Sequence, residues 1–150
     1  GDEMRVRWSN VPVPEENLVA IGVGLALQRV TPTRLARPAR SARTLGVTLI
    51  AAGALLAGWA VLTMAEVDSE APSELVTTGP YAHSRNPMYL AWALAQAGVA
   101  LAVGAPWVLA SLPAALAYTH RVVIPREEEQ LAAAFGDAYR RYRARVRRYV

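Results

Sequence analysis

Two short stretches of the chain hold most of the groups capable of site chemistry. The first runs Gly79-Pro80-Tyr81-Ala82-His83-Ser84-Arg85-Asn86-Pro87-Met88-Tyr89. Asn86 before Pro87 reads as a helix N-cap followed by a first-turn proline. Capping accounts for those two residues. It does not account for Arg85, Tyr81 and Tyr89, which crowd a helix start whose free N–H groups already favour an anion. The second stretch runs Arg121-Val-Val-Ile-Pro125-Arg126-Glu127-Glu128-Glu129, at the exit of a long apolar segment. Three glutamates after a proline are an ordinary helix beginning. Arg121 is harder to dismiss, because an arginine at mid-depth in a bilayer costs at least ~2.5 kcal/mol unless it snorkels or pairs. Together the two stretches offer guanidiniums that can clamp an anion and carboxylates that can take a proton.

Other chemistries lack their residues. The chain has no cysteine, so disulfides, thiolate nucleophiles and thiolate metal sites are excluded. His83 and His120 have no ligand-like spacing with acids, and no metal site is expected. No glycine-rich phosphate loop, nucleophile elbow or zinc motif is present. All 16 basic residues are arginine, whose fork binds carboxylate and phosphate bidentately. Nucleic acid is a poor partner for the basic tail, because its arginines alternate with aromatics and follow apolar segments.

The elements that must position these groups are apolar helices. The chain has 150 residues, enough for one domain (1–150), and 53% of them are hydrophobic. Residues 11–66 form the N-terminal helices; 67–150 carry the motif loop, two further helices and a C-terminal helix. The first ten residues read as a truncated start, with Met4 behind Gly-Asp-Glu and no signal-peptide order. The first helix is expected from Pro14 to Val30, a short span of ~25 Å against a hydrocarbon core of ~30 Å. An arginine- and proline-rich loop over 29–43 follows. Leu45–Met64 is a run of 20 residues without charge, the best spanning helix in the chain. Its Gly46, Gly53 and Gly58 suit close helix contact in a bilayer.

A third helix is expected from Met88 to about Val103 and a fourth from Trp107 to about Ile124, joined by a tight turn at Gly104-Ala-Pro106. Such a turn predicts an antiparallel hairpin whose open ends, near Arg85 and Arg126, share one membrane face. Pro125 is expected to open a separate amphipathic interfacial helix, acidic in its first turn and arginine-rich at its end. Leu131, Phe135, Tyr142, Val146 and Tyr149 share one face of that helix, and Gly136 is a place for it to bend. The fold class is therefore an all-α integral membrane protein of about four transmembrane helices plus a C-terminal helix. With four spans, 11 arginines lie inside and five outside, which puts the working face in the cytoplasm and the protein in the cell membrane.

The order Leu75-Val-Thr-Thr-Gly79-Pro-Tyr81, then Arg85-Asn-Pro87-Met-Tyr89, then Arg126-Glu-Glu-Glu and Phe135-Gly136-Asp-Ala-Tyr139-Arg-Arg-Tyr142 resembles the isoprenylcysteine carboxyl methyltransferase and phospholipid methyltransferase superfamily. The resemblance covers about residues 75–148. It implies transfer of a methyl group from S-adenosylmethionine to a lipophilic acceptor, a prenylcysteine-type carboxylate or a phospholipid amine. By position, Tyr81, Arg85, Asn86, Pro87 and Tyr89 would form the cofactor wall, with Glu127 and Glu128 as the family's acidic pair. Arg121 matches an arginine linked to substrate or cofactor placement, and it is expected to act with Glu128 at one site. The eukaryotic prenylcysteine enzymes carry histidine where this chain has Asn86, which weighs against a prenylcysteine acceptor. A carboxylate acceptor needs no base, whereas an amine or hydroxyl would need one, and Glu127 or Glu128 is the candidate. Sterol reductases share the C-terminal pattern, so reduction on the same scaffold is a second reading. A non-catalytic membrane protein, in which both stretches only cap helices, is a third.

Overall fold

The computed structural model describes residues 15–30, 39–70 and 74–150. Six helices are present among them: α1 (Glu15–Val30), α2 (Arg40–Glu70), α3 (Pro87–Val103), α4 (Pro106–Tyr118), α5 (Ile124–Phe135) and α6 (Asp137–Arg145). A 3-10 turn spans Gly79–Ala82 and a π turn spans Thr119–Val123; no strand occurs among the described residues. Pro14 and most of the arginine-rich loop lie outside the described residues.

Among the described residues, two helical runs are long and apolar enough to cross a membrane: Arg40–Glu70 and Pro106–Phe135. Leu18–Val30 and Pro87–Val103 are shorter apolar helices. The two long runs bury only a minor part of their apolar windows inside the protein. Leu55, Leu62, Leu45 and Trp59 of α2 are left facing outward, as side chains solvated by lipid would be. α2 extends beyond the expected Leu45–Met64 by about one and a half turns at each end.

α2 packs along α3 with small residues at the seam. A Cβ added to Gly98 would lie 2.5 Å from the Gly46 carbonyl oxygen, and one on Gly46 would lie 2.6 Å from that of Gly98. The two backbones therefore touch, as small residues allow when no hydrophobic force drives helices together. Gly53 meets Ala91 in the same way, whereas Gly58 faces open space and takes no part. Gly104, in the left-handed conformation, ends α3, and α4 begins two residues later and packs against it.

Two sequence expectations fail in the C-terminal half. Pro125 does not open a separate helix; α5 continues α4 through the π turn. Proline has no N–H to offer the Arg121 carbonyl. The chain widens instead, and the Ile124 amide donates to the Thr119 carbonyl five residues back. The apolar face of the tail is also not turned outward. Leu131, Tyr139 and Tyr142 are buried with Met64, Val76, Tyr81 and Met88 in one core, and Phe135 and Val146 pack on its edge. Gly136, at φ +52°, divides the tail into α5 and α6.

Candidate active site

The motif loop is shaped by Gly79. Its φ of +58° is open to glycine, and a Cβ there would collide with the Thr63 side chain. The 3-10 turn that follows carries Tyr81 inward, where its ring is buried. The Tyr142 hydroxyl donates to the Tyr81 carbonyl at 2.7 Å, with the Ser84 carbonyl at 3.3 Å. Beyond α6 the chain runs extended along this loop. The Arg85 amide donates to the Arg147 carbonyl (3.0 Å), and Asn86 Nδ2 donates to the Arg148 carbonyl (3.0 Å). Asn86 thus holds the N-cap position of α3 without capping it through its side chain. The amide instead ties the C-terminal segment down, while Pro87 fills the first helical position.

Glu128 is the electrostatic centre. Its carboxylate lies 2.7 Å from Arg148, 3.5 Å from Arg85 and 3.7 Å from Arg143. Glu128 and Arg85 are nearly enclosed, at 11% and 10% side-chain exposure, so their attraction is weakly screened. The 2.7 Å contact is Coulombic without hydrogen-bond alignment, so Glu128 Oε1 keeps its capacity to accept. Arg85 also donates to the Tyr139 hydroxyl at 3.2 Å, and the Tyr89 hydroxyl donates to Glu127 Oε1 at 2.6 Å.

These groups line a cleft of about 20 Å³ walled by Tyr81, Arg85, Asn86, Glu127, Glu128 and Tyr139. Among the described residues the Tyr81 hydroxyl and Arg85 Nε are buried with no hydrogen-bond partner, which is costly unless a ligand or water serves them. Burial pushes the Tyr81 and Tyr142 hydroxyls well above the usual phenol range, helped at Tyr81 by the charge of Glu127. Burial and then Glu128 raise Tyr139, against the pull of Arg85. All three remain O–H donors at neutral pH.

A second cavity of about 470 Å³ opens between α3 and α4, walled by Leu90, Ala93, Leu116 and Ala117. Thr119, His120 and Tyr149 also line it. Tyr89 belongs to both regions: its side chain lines the apolar cavity, and it adjoins Glu127 in the small space beside Arg85 and Asn86.

The fold therefore gathers Tyr81, Arg85, Asn86, Pro87, Tyr89, Glu127 and Glu128. Arg121 is not gathered: it is exposed on the π turn and lines neither cavity. Tyr139, Tyr142 and Arg148 join the same cluster without having been expected there from the sequence. The i,i+3 spacing of the two tyrosines on the Leu131 face was a usable signal; Arg148 gave none, being one of six closely spaced arginines.

The family model for phospholipid methyltransferases matches residues 41–138, about two thirds of the chain. That span takes in the α2–α3 seam, the motif loop and the paired glutamates. No curated protein and no solved structure matches.

Proposed function

Because the chain belongs to the phospholipid methyltransferase family, we propose that it transfers a methyl group from S-adenosylmethionine to a lipophilic acceptor. The reaction runs at the cytoplasmic face of the cell membrane, with α1 to α4 as four spans and α3 and α4 as a hairpin. The observation that carries the reading is the pairing of a charged cleft with an apolar cavity across Tyr89. A cofactor that is charged and an acceptor that is greasy need two such compartments side by side.

The donor set suits the cofactor. Arg85 can clamp a carboxylate, and Glu127 and Glu128 can take an ammonium or ribose hydroxyls. The unpartnered Tyr81 hydroxyl and Arg85 Nε supply two more directed contacts. At about 20 Å³ the cleft holds roughly one water, so its walls must part to admit a nucleoside. When bound, S-adenosylmethionine supplies an activated methyl group on a sulfonium centre. The chain's own task is positioning and electrostatics. Tyr89 fixes Glu127 at the border of the two compartments, and the three guanidiniums hold Glu128 in place. If the acceptor is an amine, Glu127 is the carboxylate placed to take its proton.

The test is equilibrium binding of S-adenosylmethionine, with NADPH as comparator, to detergent-solubilised protein. Micromolar binding of the first and none of the second is expected. Labelled methyl transfer into a total lipid extract then identifies the acceptor by mass. A folded protein that binds neither cofactor, or NADPH alone, refutes the reading.

A further inference from the structure

The apolar cavity between α3 and α4 has a distinctive mouth. His120, the second residue of the π turn, lines it together with Tyr149. His120 Nδ1 is hydrogen-bonded to the Tyr149 hydroxyl, and Arg148 Nη1 approaches the same nitrogen at 3.5 Å. Burial raises the Tyr149 hydroxyl above its ordinary range, so it stays an O–H donor. Two donors aimed at Nδ1 assign the ring proton of the neutral imidazole to Nε2. Nε2–H has no partner among the described residues. It is a donor held at the rim of a greasy cavity.

Arg148 joins this mouth to the charged cleft. Its Nη2 lies 2.7 Å from Glu128 while its Nη1 faces His120. Tyr89 makes the second connection, lining the cavity while its hydroxyl reaches Glu127. Hydroxyl and imidazole donors, with the Arg148 guanidinium behind His120, therefore meet an incoming ligand at one end of an apolar cavity of about 470 Å³, a volume usual for small-molecule sites.

We propose that His120 is a lipid-binding residue: the cavity takes one hydrocarbon chain of a membrane phospholipid, and His120 Nε2–H, backed by Arg148, holds its phosphate. The inference rests on the methyltransferase reading for its choice of phosphate over carboxylate, since a phospholipid acceptor carries a phosphate near its amine. With the phosphate at His120, the rest of the head group is left on the Tyr89 and Glu127 side, where the two compartments meet. His120 does no bond-making here; it sets which head groups enter and how they lie.

Affinities of three amphiphiles of equal chain length test this on the full chain in maltoside: a monoacyl glycerophosphate, a fatty acid and a monoacylglycerol. The phosphate probe is expected to bind about tenfold tighter than the neutral one, the worth of one hydrogen bond to a charged group. In His120→Phe that preference falls to within about twofold. In His120→Gln, which keeps an N–H near the same position, most of it survives. Both variants retain wild-type affinity for S-adenosylmethionine, which also reports that they are folded. Equal binding of phosphate and neutral probes, carboxylate binding as tight as phosphate, or an unchanged preference in His120→Phe each overturns the proposal. Failure of the wild-type protein to bind S-adenosylmethionine would sink the methyltransferase reading separately, leaving the lipid comparison to be read by itself.

Discussion

Replacing Glu128 with glutamine keeps the side chain's size and removes its charge. Arg85 would then sit nearly enclosed, at 10% exposure, without the carboxylate it pairs with. Removing one partner of a buried pair costs about 3–5 kcal/mol, chiefly because the other charge is stranded. Arg148 and Arg143 are 27% and 57% exposed, so water can take over much of their share. That places the expected loss at the low end, about 3 kcal/mol. For a chain of this size, roughly 2–4 °C per kcal/mol translates it into a fall in Tm of about 6–12 °C. Thermal unfolding in detergent, followed by tryptophan fluorescence, reads it out. Arg143→Ala serves as the control and should move Tm by no more than a degree or two. Adding Arg85→Met to Glu128→Gln should recover part of the loss, because the stranded charge is gone. If Glu128→Gln melts within about 2 °C of wild type, the cluster is not the buried electrostatic centre described.

Gly98→Leu should destabilise the protein far more than Gly58→Leu, since a Cβ at 98 meets the Gly46 backbone and one at 58 meets nothing; thermal melts decide it. Tyr89→Phe loses the hydroxyl bond to Glu127 and should slow methyl transfer by about tenfold, with S-adenosylmethionine affinity little changed. Arg121→Ala should bind S-adenosylmethionine like wild type, because the residue is exposed and outside both cavities. On alkaline titration, tyrosinate absorbance should lag behind that of the denatured chain, since burial raises Tyr81, Tyr139, Tyr142 and Tyr149 above 10.0. Their folded pKa values are raised, so the folded state holds more protons above pH 10. Stability is therefore full below that pH and declines as pH rises past it.

What the sequence reveals depends on how local the cause is. The Pro87 start of α3 and the Gly104 stop are set by single residues, and both fall where their types require, whereas the Asn86 side chain serves the C-terminal segment in place of a cap. The α2–α3 seam is partly legible, because Gly46 and Gly53 share one helix face by their spacing, and Gly58, which falls off that face, does not touch α3. The tail was misread for a physical reason. Amphipathicity states that a face is buried and does not name the medium that buries it. Leu131 and Tyr142 suit a membrane interface or a protein core equally well, and the motif loop claims them. In the sequence Arg121 stands out because a charge near an apolar segment is costly, but on the π turn its side chain is exposed. Arg148 was illegible because its role depends on an extended segment folding back over residues 84–86, a contact between positions more than 60 residues apart.

The π turn at Thr119–Val123 holds one residue more than an α-helix would use to cover the same rise. An α-helix turns about 100° per residue, so this single surplus residue decides the compass bearing of everything downstream. Upstream, the helix addresses lipid; downstream, it aims Glu127 at Tyr89 and Glu128 at Arg85. Excising any one residue of the turn would rotate both carboxylates by about 100°, away from Tyr89 and Arg85. The product would be an intact anchor with a blank face.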